Sequence, residues 1–187
     1  MKLVLGSESP RRHALLSSMG FKFRVLKPNI DESFDDKLPK EKVPEFLSFQ
    51  KSLALIDKIA SDEILICSDT IVLLEGEIIG KPKDHKDAFL TLQKLSAKTH
   101  SVITGVTLCN QEKHVTFHDR TEVTFAKLNN TMIDNYLNLN KVTDKAGAYG
   151  IQDWIGLIGV EKIVGSYTNV MGLPTSKLYL ALNDFTQ

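Results

Sequence analysis

The sequence predicts an α/β domain built on a mixed sheet. Three observations lead there. Short apolar, β-branched runs alternate with segments of helical periodicity along the chain. Two long strand-like runs, 101–109 and 113–126, are separated only by Asn110-Gln111-Glu112 and so pair as an antiparallel hairpin. Strand–helix–strand units call for parallel pairing, and their presence beside hairpins makes the sheet mixed. The length of 187 residues suits one domain, 1–187, with room for two lobes around a cleft.

Each element has a local cause. Lys2-Leu3-Val4-Leu5 is a short apolar strand ending at Gly6. Ser9 is an N-cap and Pro10 suits the first helical position, where its missing N–H is not needed, so a helix runs over 10–19 and Gly20 closes it at C′. Residues 21–26 alternate as a half-buried strand. The segment 28–42 is a polar loop holding Asp31, Glu32, Asp35 and Asp36, and a long helix is expected over 43–60. Ile64-Leu65-Ile66-Cys67 is a strand ending at Ser68-Asp69-Thr70; 71–74 resumes as strand, and Glu75-Gly76 turns it into Ile78-Ile79. Gly80-Lys81-Pro82 breaks that strand, and Asp84 caps a helix over 85–97. After the long hairpin come a helix over 131–139, an irregular glycine-rich stretch over 140–175, and a C-terminal helix from near Pro174.

Composition narrows the function classes. Lys and Arg number 23, as do Asp and Glu, so the net charge is zero. A nucleic-acid polymer or an anionic membrane surface would call for a basic excess, whereas a small phosphorylated ligand needs only a few local cations. The two cysteines, Cys67 and Cys109, lie in apolar runs and form neither a disulfide framework nor a Cys-x-x-Cys motif; they read as buried thiols in a reducing compartment. Four residues precede Gly6 after the initiator, too few for a secretory signal, and no apolar run is long enough to span a bilayer, so a cytoplasmic protein is expected.

Several residues could carry chemistry. Backbone N–H groups and the positive end of the helix dipole face the Ser7–Ser9 turn, with Arg11 and Arg12 alongside; this is a recipe for an anion site and equally for a capped helix with two solvated arginines. Asp69 stands at the end of an apolar strand, where ligands collect in α/β proteins, and an aspartate there can bind a divalent metal or act as a base toward water; a turn-capping aspartate is the commoner case. Lys81 is fixed between glycine and proline as a point charge for phosphate, although the spacing to Gly76 and the proline after it exclude a P-loop. Glu32 in the acidic loop and Lys51 in the long helix are unremarkable alone. His114 and His118 share a strand face but lack a third ligand, and read as solvent-facing. No Gly-x-Ser-x-Gly or His-Glu-x-x-His motif occurs, which excludes the common serine hydrolases and zincins. Tyr149 and Trp154 flank Gly150-Ile151-Gln152; a single aromatic there is more often packing than a base platform.

Order and spacing say more than any one motif. Ser7-Glu8-Ser9-Pro10-Arg11-Arg12, Asp31-Glu32, Lys51, Ser68-Asp69-Thr70-Ile71-Val72, Gly80-Lys81-Pro82, Thr104-Gly105-Val106, the run from Asp144 to Gln152 and the run from Gly165 to Pro174 together resemble the Maf family across essentially the whole chain. Members of that family are nucleoside triphosphate pyrophosphatases, also described as septum-formation inhibitors. The resemblance implies a bent mixed sheet with flanking helices and two lobes around a cleft, similar to inosine triphosphatases. It implies metal-dependent cleavage between the α and β phosphates of a nucleoside triphosphate, with Mg2+, Mn2+ or Co2+ as cofactor. On this resemblance Asp69 activates water, Glu32 and Asp69 hold the metal, and Ser7, Arg11, Lys51 and Lys81 bind the triphosphate. Arg12, Thr70 and Gln152 match the subgroup acting on dTTP and UTP, and modified pyrimidine nucleotides such as 5-methyl-UTP or pseudo-UTP are further substrates to consider. A homodimer is compatible with the family. A nucleotide-binding regulator of septum formation with little turnover is the competing expectation. Two departures, Gly6 and Ser52 where the family has alanine, remove no charge.

The chemistry of the residues agrees with that implication. A triphosphate needs several cations, magnesium binds through one or two carboxylates plus substrate phosphates, and an amide such as Gln152 can meet the polar edge of thymine or uracil.

Overall fold

The computed structural model describes residues 2–186. Its elements are β1 (Lys2–Gly6), α1 (Pro10–Ser18), β2 (Phe23–Val25), α2 (Val43–Leu53), β3 (Glu63–Leu74), β4 (Glu77–Ile79), α3 (His85–Leu95), β5 (Thr99–Cys109), β6 (His114–Phe125), α4 (Asn130–Leu139), α5 (Trp154–Gly159), β7 (Val160–Val164), α6 (Tyr167–Val170) and α7 (Thr175–Phe185). Among the described residues the strands make one seven-stranded mixed sheet in the order β2-β1-β3-β5-β6-β7, with β4 paired to β3 off that path. The predicted α/β class with a mixed sheet is therefore what forms. No helix among the described residues is long and apolar enough to cross a membrane.

The chain divides into two compact units. The first takes residues 2–70, 104–119 and 172–186, and the second takes 71–103 and 120–171. Strands β3, β5 and β6 each contribute one segment to each unit.

In the first unit β1 pairs in parallel with β2, Leu3↔Phe23 to Leu5↔Val25, and with β3, Lys2↔Glu63 to Gly6↔Cys67. Successive side chains of a strand point to opposite faces, and both faces of β1 and β3 are covered here. Leu3, Leu5, Ile64 and Ile66 pack with Leu16, Leu178, Leu182 and Phe185, while Val4, Leu65 and Cys67 pack with Leu55, Ile59 and Cys109. Helix α2 approaches β5 very closely at Gly105, where a Cβ would lie 2.2 Å from the Pro44 carbonyl carbon. Only glycine admits that approach, which sets the track of α2 and hence the position of Lys51, buried toward its far end.

In the second unit β3 turns into β4 through Glu75 and Gly76, both with positive φ (52° and 82°) as a two-residue primed hairpin turn requires. β6 and β7 pair antiparallel with an irregularity between Thr124 and Phe125. The core joins Leu92 and Leu95 of α3, Ile133 and Tyr136 of α4, Phe125, Tyr149 and Ile155. The Gly147 N–H donates to the Gly80 carbonyl at 3.1 Å, tying the turn that carries Lys81 to the segment leading to Gln152.

The structure corrects four sequence expectations. Ser68-Asp69-Thr70 does not end a strand; β3 runs unbroken for 12 residues because these polar groups, Ser68 apart, find partners across the fold. The helix expected over 43–60 stops at Leu53; its apolar spacing continues through a short 3-10 turn, Ile56–Lys58, which keeps Leu55 buried. The strand expected over 21–26 spans only Phe23–Val25. The stretch 140–175 is not wholly irregular: it holds α5, β7 and α6.

Candidate active site

Lys51 is the centre of the arrangement. Its side chain is 8% exposed and its Nζ lies 2.5 Å from Asp69 Oδ1 and 2.7 Å from Glu32 Oε1. Asp69 comes from the middle of β3, Lys51 from α2, and Glu32 from the loop between β2 and α2. Three charged groups separated by up to 37 residues in sequence thus meet around one nitrogen. Two carboxylates brought this close repel unless a cation lies between them, and the buried ammonium supplies that cation. Glu32 is about half exposed, so its share of the attraction is screened, while the Lys51–Asp69 pair is largely out of water.

The donor set fits a hard divalent cation. Glu32 and Asp69 present oxygens to a common point, and no group of three or more His, Cys, Asp or Glu that could hold a metal exists among the described residues. A cation bound by two carboxylates completes its shell with water and substrate oxygens, which is the habit of magnesium rather than of a structural metal.

Beside this triad the turn after β1 is braced by Arg12. Its Nε donates to the Gly172 carbonyl (2.9 Å), Nη1 to Ser7 Oγ (3.3 Å) and Nη2 to Thr70 Oγ1 (3.0 Å). Thr70 Oγ1 also bonds Thr104 Oγ1 at 2.9 Å, and Ser7 Oγ accepts from the Ser9 N–H. Desolvation pushes the Arg12 pKa down, opposed chiefly by the charge of Asp69; a guanidinium stays protonated in any case. Arg12 therefore organises Ser7, Thr70 and the 172 carbonyl as one unit. Gly172 has φ +109°, a conformation side chains avoid, and that lets its carbonyl meet the arginine. Ser9 caps α1 as expected, accepting from the Arg12 N–H, and Arg11 is half-buried on the first turn.

Lys81 and Gln152 belong to the second unit. Lys81 is exposed on its glycine–proline turn. Gln152 is half-buried, and its Nε2 donates to Asp153 Oδ1 at 3.0 Å. Sequence reasoning missed the groups that support it. Tyr136, fully buried in α4, donates to Asp153 Oδ2 (2.8 Å) and accepts from the Gly150 N–H (3.1 Å). His100 Nε2 bonds Tyr149 OH at 2.7 Å inside the core, so Tyr149 is a packing residue, while Trp154 is exposed. Tyr136 and His100 lie on a helix and a strand far from Gln152 in sequence, and only the fold connects them.

The remaining motifs carry no site. His118 Nδ1 pairs with Glu45 Oε1 at 2.5 Å, and the His114 ring lies against Phe49, so the two histidines share no ligand and His118 is not simply solvent-facing. Cys67 and Cys109 are both buried and free; burial pushes the Cys67 thiol up to about 12, which removes it as a nucleophile.

Comparison with known proteins gives a consistent account. A family model described as Maf-like protein matches residues 2–185. A protein of Phocaeicola vulgatus named dTTP/UTP pyrophosphatase is 48% identical over 182 residues, covering 97% of this chain and 94% of its own. A protein of the same name from Flavobacterium psychrophilum is 46% identical over 185 residues, covering 99% and 95%. Among solved structures, a HAM1 protein from Coxiella burnetii superposes with a TM-score of 0.53 at 10% identity, covering 98% of this chain and 99% of that one, a likeness of fold. With the family model matching residues 2–185 and a relative 48% identical over 97% of this chain, the chain belongs to the Maf-like protein family.

Proposed function

We propose that the protein is a nucleoside triphosphate pyrophosphatase that hydrolyses dTTP and UTP between the α and β phosphates. Water adds to the α phosphorus, the bond to the bridging oxygen breaks, and a nucleoside monophosphate and pyrophosphate leave. The observation that carries this reading is the placement of Glu32 and Asp69 on the buried ammonium of Lys51. A site that only bound nucleotide would need no base toward water, and a carboxylate held in place by a buried lysine suits that task, which favours turnover over the regulatory reading. The relatives named dTTP/UTP pyrophosphatase support the substrate class.

In this reading Asp69 takes the proton of the attacking water on its carboxylate, with Lys51 holding Oδ1 in place. Lys51 and Lys81 supply positive charge to the phosphates, and the leaving pyrophosphate gains most from it as its charge grows. Ser7 and Arg11 bind phosphate oxygens at the start of α1, where main-chain N–H groups gather. Arg12 and Thr70 keep Ser7 and Asp69 in register through their shared hydrogen bonds. Glu32 and Asp69 would hold a magnesium, manganese or cobalt ion, which when bound lowers the pKa of coordinated water and neutralises phosphate charge. Gln152 reads the base. The role fits house-cleaning of the nucleotide pool, and a cytoplasmic location goes with it, supported by the two free buried thiols.

The test is hydrolysis of a nucleoside triphosphate panel with both products quantified. The expected result is pyrophosphate in equal amount to TMP or UMP, lost in Asp69→Asn. Release of inorganic phosphate and a diphosphate would contradict it.

A further inference from the structure

Lys81 is exposed, yet the backbone on either side of it is held. A lysine is a point charge on a flexible stem, so a slack backbone beneath it would spread that charge over a wide volume. The Gly80 carbonyl and the Lys81 N–H lie in one peptide plane, and the Lys81 carbonyl lies in the next with the Pro82 nitrogen. Fixing both planes leaves only the side chain free to turn.

The first plane is held from far along the chain. The Gly147 N–H donates to the Gly80 carbonyl at 3.1 Å. Gly147 does so from a left-handed backbone, φ +73° and ψ 7°, where a Cβ would lie 3.0 Å from Val72 Cγ2. Val72 is in turn the register partner of Ile79, the residue before Gly80. Ala148 follows with φ +60° and is fully buried. A left-handed alanine costs energy and persists only where the surroundings impose it, which points to a positional demand on this turn. The second plane is held locally. Pro82 is buried; its ring fixes its own φ and steers Lys81 away from helical backbone. Just beyond it the Lys83 N–H donates to Asp87 Oδ2 at 2.9 Å, and Asp84 Oδ1 accepts from the Asp87 N–H at 2.8 Å, so the chain past Pro82 is tied to the start of α3.

We propose that Gly147 and Pro82 are positioning residues that clamp the Lys81 backbone from both sides, so that its charge meets the phosphates already placed. This rests on Lys81 contacting the phosphates, and it names what holds that charge. A lysine on a slack turn would give up backbone as well as side-chain freedom on meeting the substrate, whereas a clamped one gives up only the side chain's. A fixed charge also stabilises the leaving pyrophosphate without rearranging as that charge grows. Gly147 touches no phosphate in this account; it acts through the Gly80 carbonyl and hence through Lys81.

The experiment is a double-mutant cycle read as pyrophosphate affinity by calorimetry, with UTP turnover followed separately. It compares the wild type, Gly147→Ala, Lys81→Met and the double variant. Gly147→Ala is expected to weaken pyrophosphate binding about tenfold when Lys81 is present, and by less than about twofold in the Lys81→Met chain, because a small misplacement matters only while the charge is there. Gly147→Asn carries the same Cβ but accepts a left-handed backbone more readily, and should recover most of the affinity. Pro82→Ala enters the same cycle and keeps the clamp testable if Gly147→Ala does not fold. Losses of equal size with and without Lys81 overturn the clamp while leaving the role of Lys81 intact. Pyrophosphate binding unchanged by Lys81→Met overturns that role and the clamp with it. If UTP is not turned over while the coupling appears as described, the pyrophosphatase reading falls and the clamp stands.

Discussion

Lys51 shows how one side chain can serve both the fold and the site. Its ammonium neutralises the largely buried Asp69 and the half-exposed Glu32, so replacing it by methionine leaves the two carboxylates facing each other. The variant should lose about 3 kcal/mol of unfolding free energy, measured by denaturant titration, since breaking a buried pair from one side exposes the whole desolvation cost of the other. Added magnesium should then raise the melting temperature of Lys51→Met more than that of the wild type, because the ion takes over the missing charge and binding to the native state stabilises it. Equal shifts in the two proteins would count against metal binding at Glu32 and Asp69. Asp69→Asn makes the opposite separation. It leaves Lys51 paired with Glu32 and with an amide oxygen at position 69 to donate to, so the variant should stay folded and lose less stability than Lys51→Met, while kcat falls by about 10³-fold, the usual range for loss of a general base. His100 gives a pH signature of its own. Desolvation lowers its pKa from 6.5 to about 4. Above pH 6.5 neither the native nor the unfolded state carries that proton. As pH falls from 6.5 toward 4 the unfolded chain binds it first, so stability drops by up to about 1.4 kcal/mol per pH unit. Glu63, held near 2 by Arg24 and the Ala60 N–H, acts lower, between pH 4.5 and 2, so the two contributions separate. His100→Gln should flatten the melting profile between pH 6.5 and 4.5 and leave the lower limb in place.

At the scale of elements, the turn after β1 and the strand β3 decide the geometry, and they were legible to different degrees. The N-cap at Ser9, the proline at the first helical position and the hairpin at Glu75-Gly76 were visible because each is a local arrangement of donors, acceptors and φ angles. Asp69 was visible as a candidate but misplaced at a strand end, because its neighbours Ser68 and Thr70 read as turn residues. What holds it inside a strand is Lys51, 18 residues earlier, and Arg12, 58 residues before Thr70. No window of sequence contains that information. The same holds for α5 and β7, where Gly156, Gly159 and the flanking Gly165 hid a helix and an edge strand. Gly6 and Cys67 form a second long-range dependence. They are register partners of β1 and β3, and a Cβ on Gly6 would lie 2.5 Å from Cys67 Sγ. The sulfur fills the volume that an alanine methyl at position 6 would occupy. Gly6→Ala should therefore destabilise by about 1–3 kcal/mol through overpacking. Cys67→Ala in the same chain should restore most of that loss, because the swap conserves volume; a double variant no more stable than Gly6→Ala would show that the strain lies elsewhere.

For the whole molecule, the fold class followed from alternation and hairpins, and the family from the order of motifs along the chain. The site was legible as a roster of residues rather than as an arrangement. Ser7, Glu32, Lys51, Asp69 and Thr70 were each ordinary until the first unit gathered them around two cations, Lys51 and Arg12. Tyr136 and Asp153 carried no signal, since their importance lies in whom they touch. The division into two units also orders the expectations for variants. Changes at Lys51 and Asp69, in the first unit, should act on phosphate chemistry for every nucleotide alike, whereas a change at Gln152, in the second, should act on the choice among bases. The most direct test of the central claim is UTP and dTTP hydrolysis with magnesium, comparing wild type and Asp69→Asn and quantifying monophosphate and pyrophosphate together. The account predicts equimolar UMP or TMP and pyrophosphate from the wild type and a loss of about 10³-fold in the folded variant. Turnover retained by Asp69→Asn, or a wild type that binds nucleotide and leaves it intact, would contradict it.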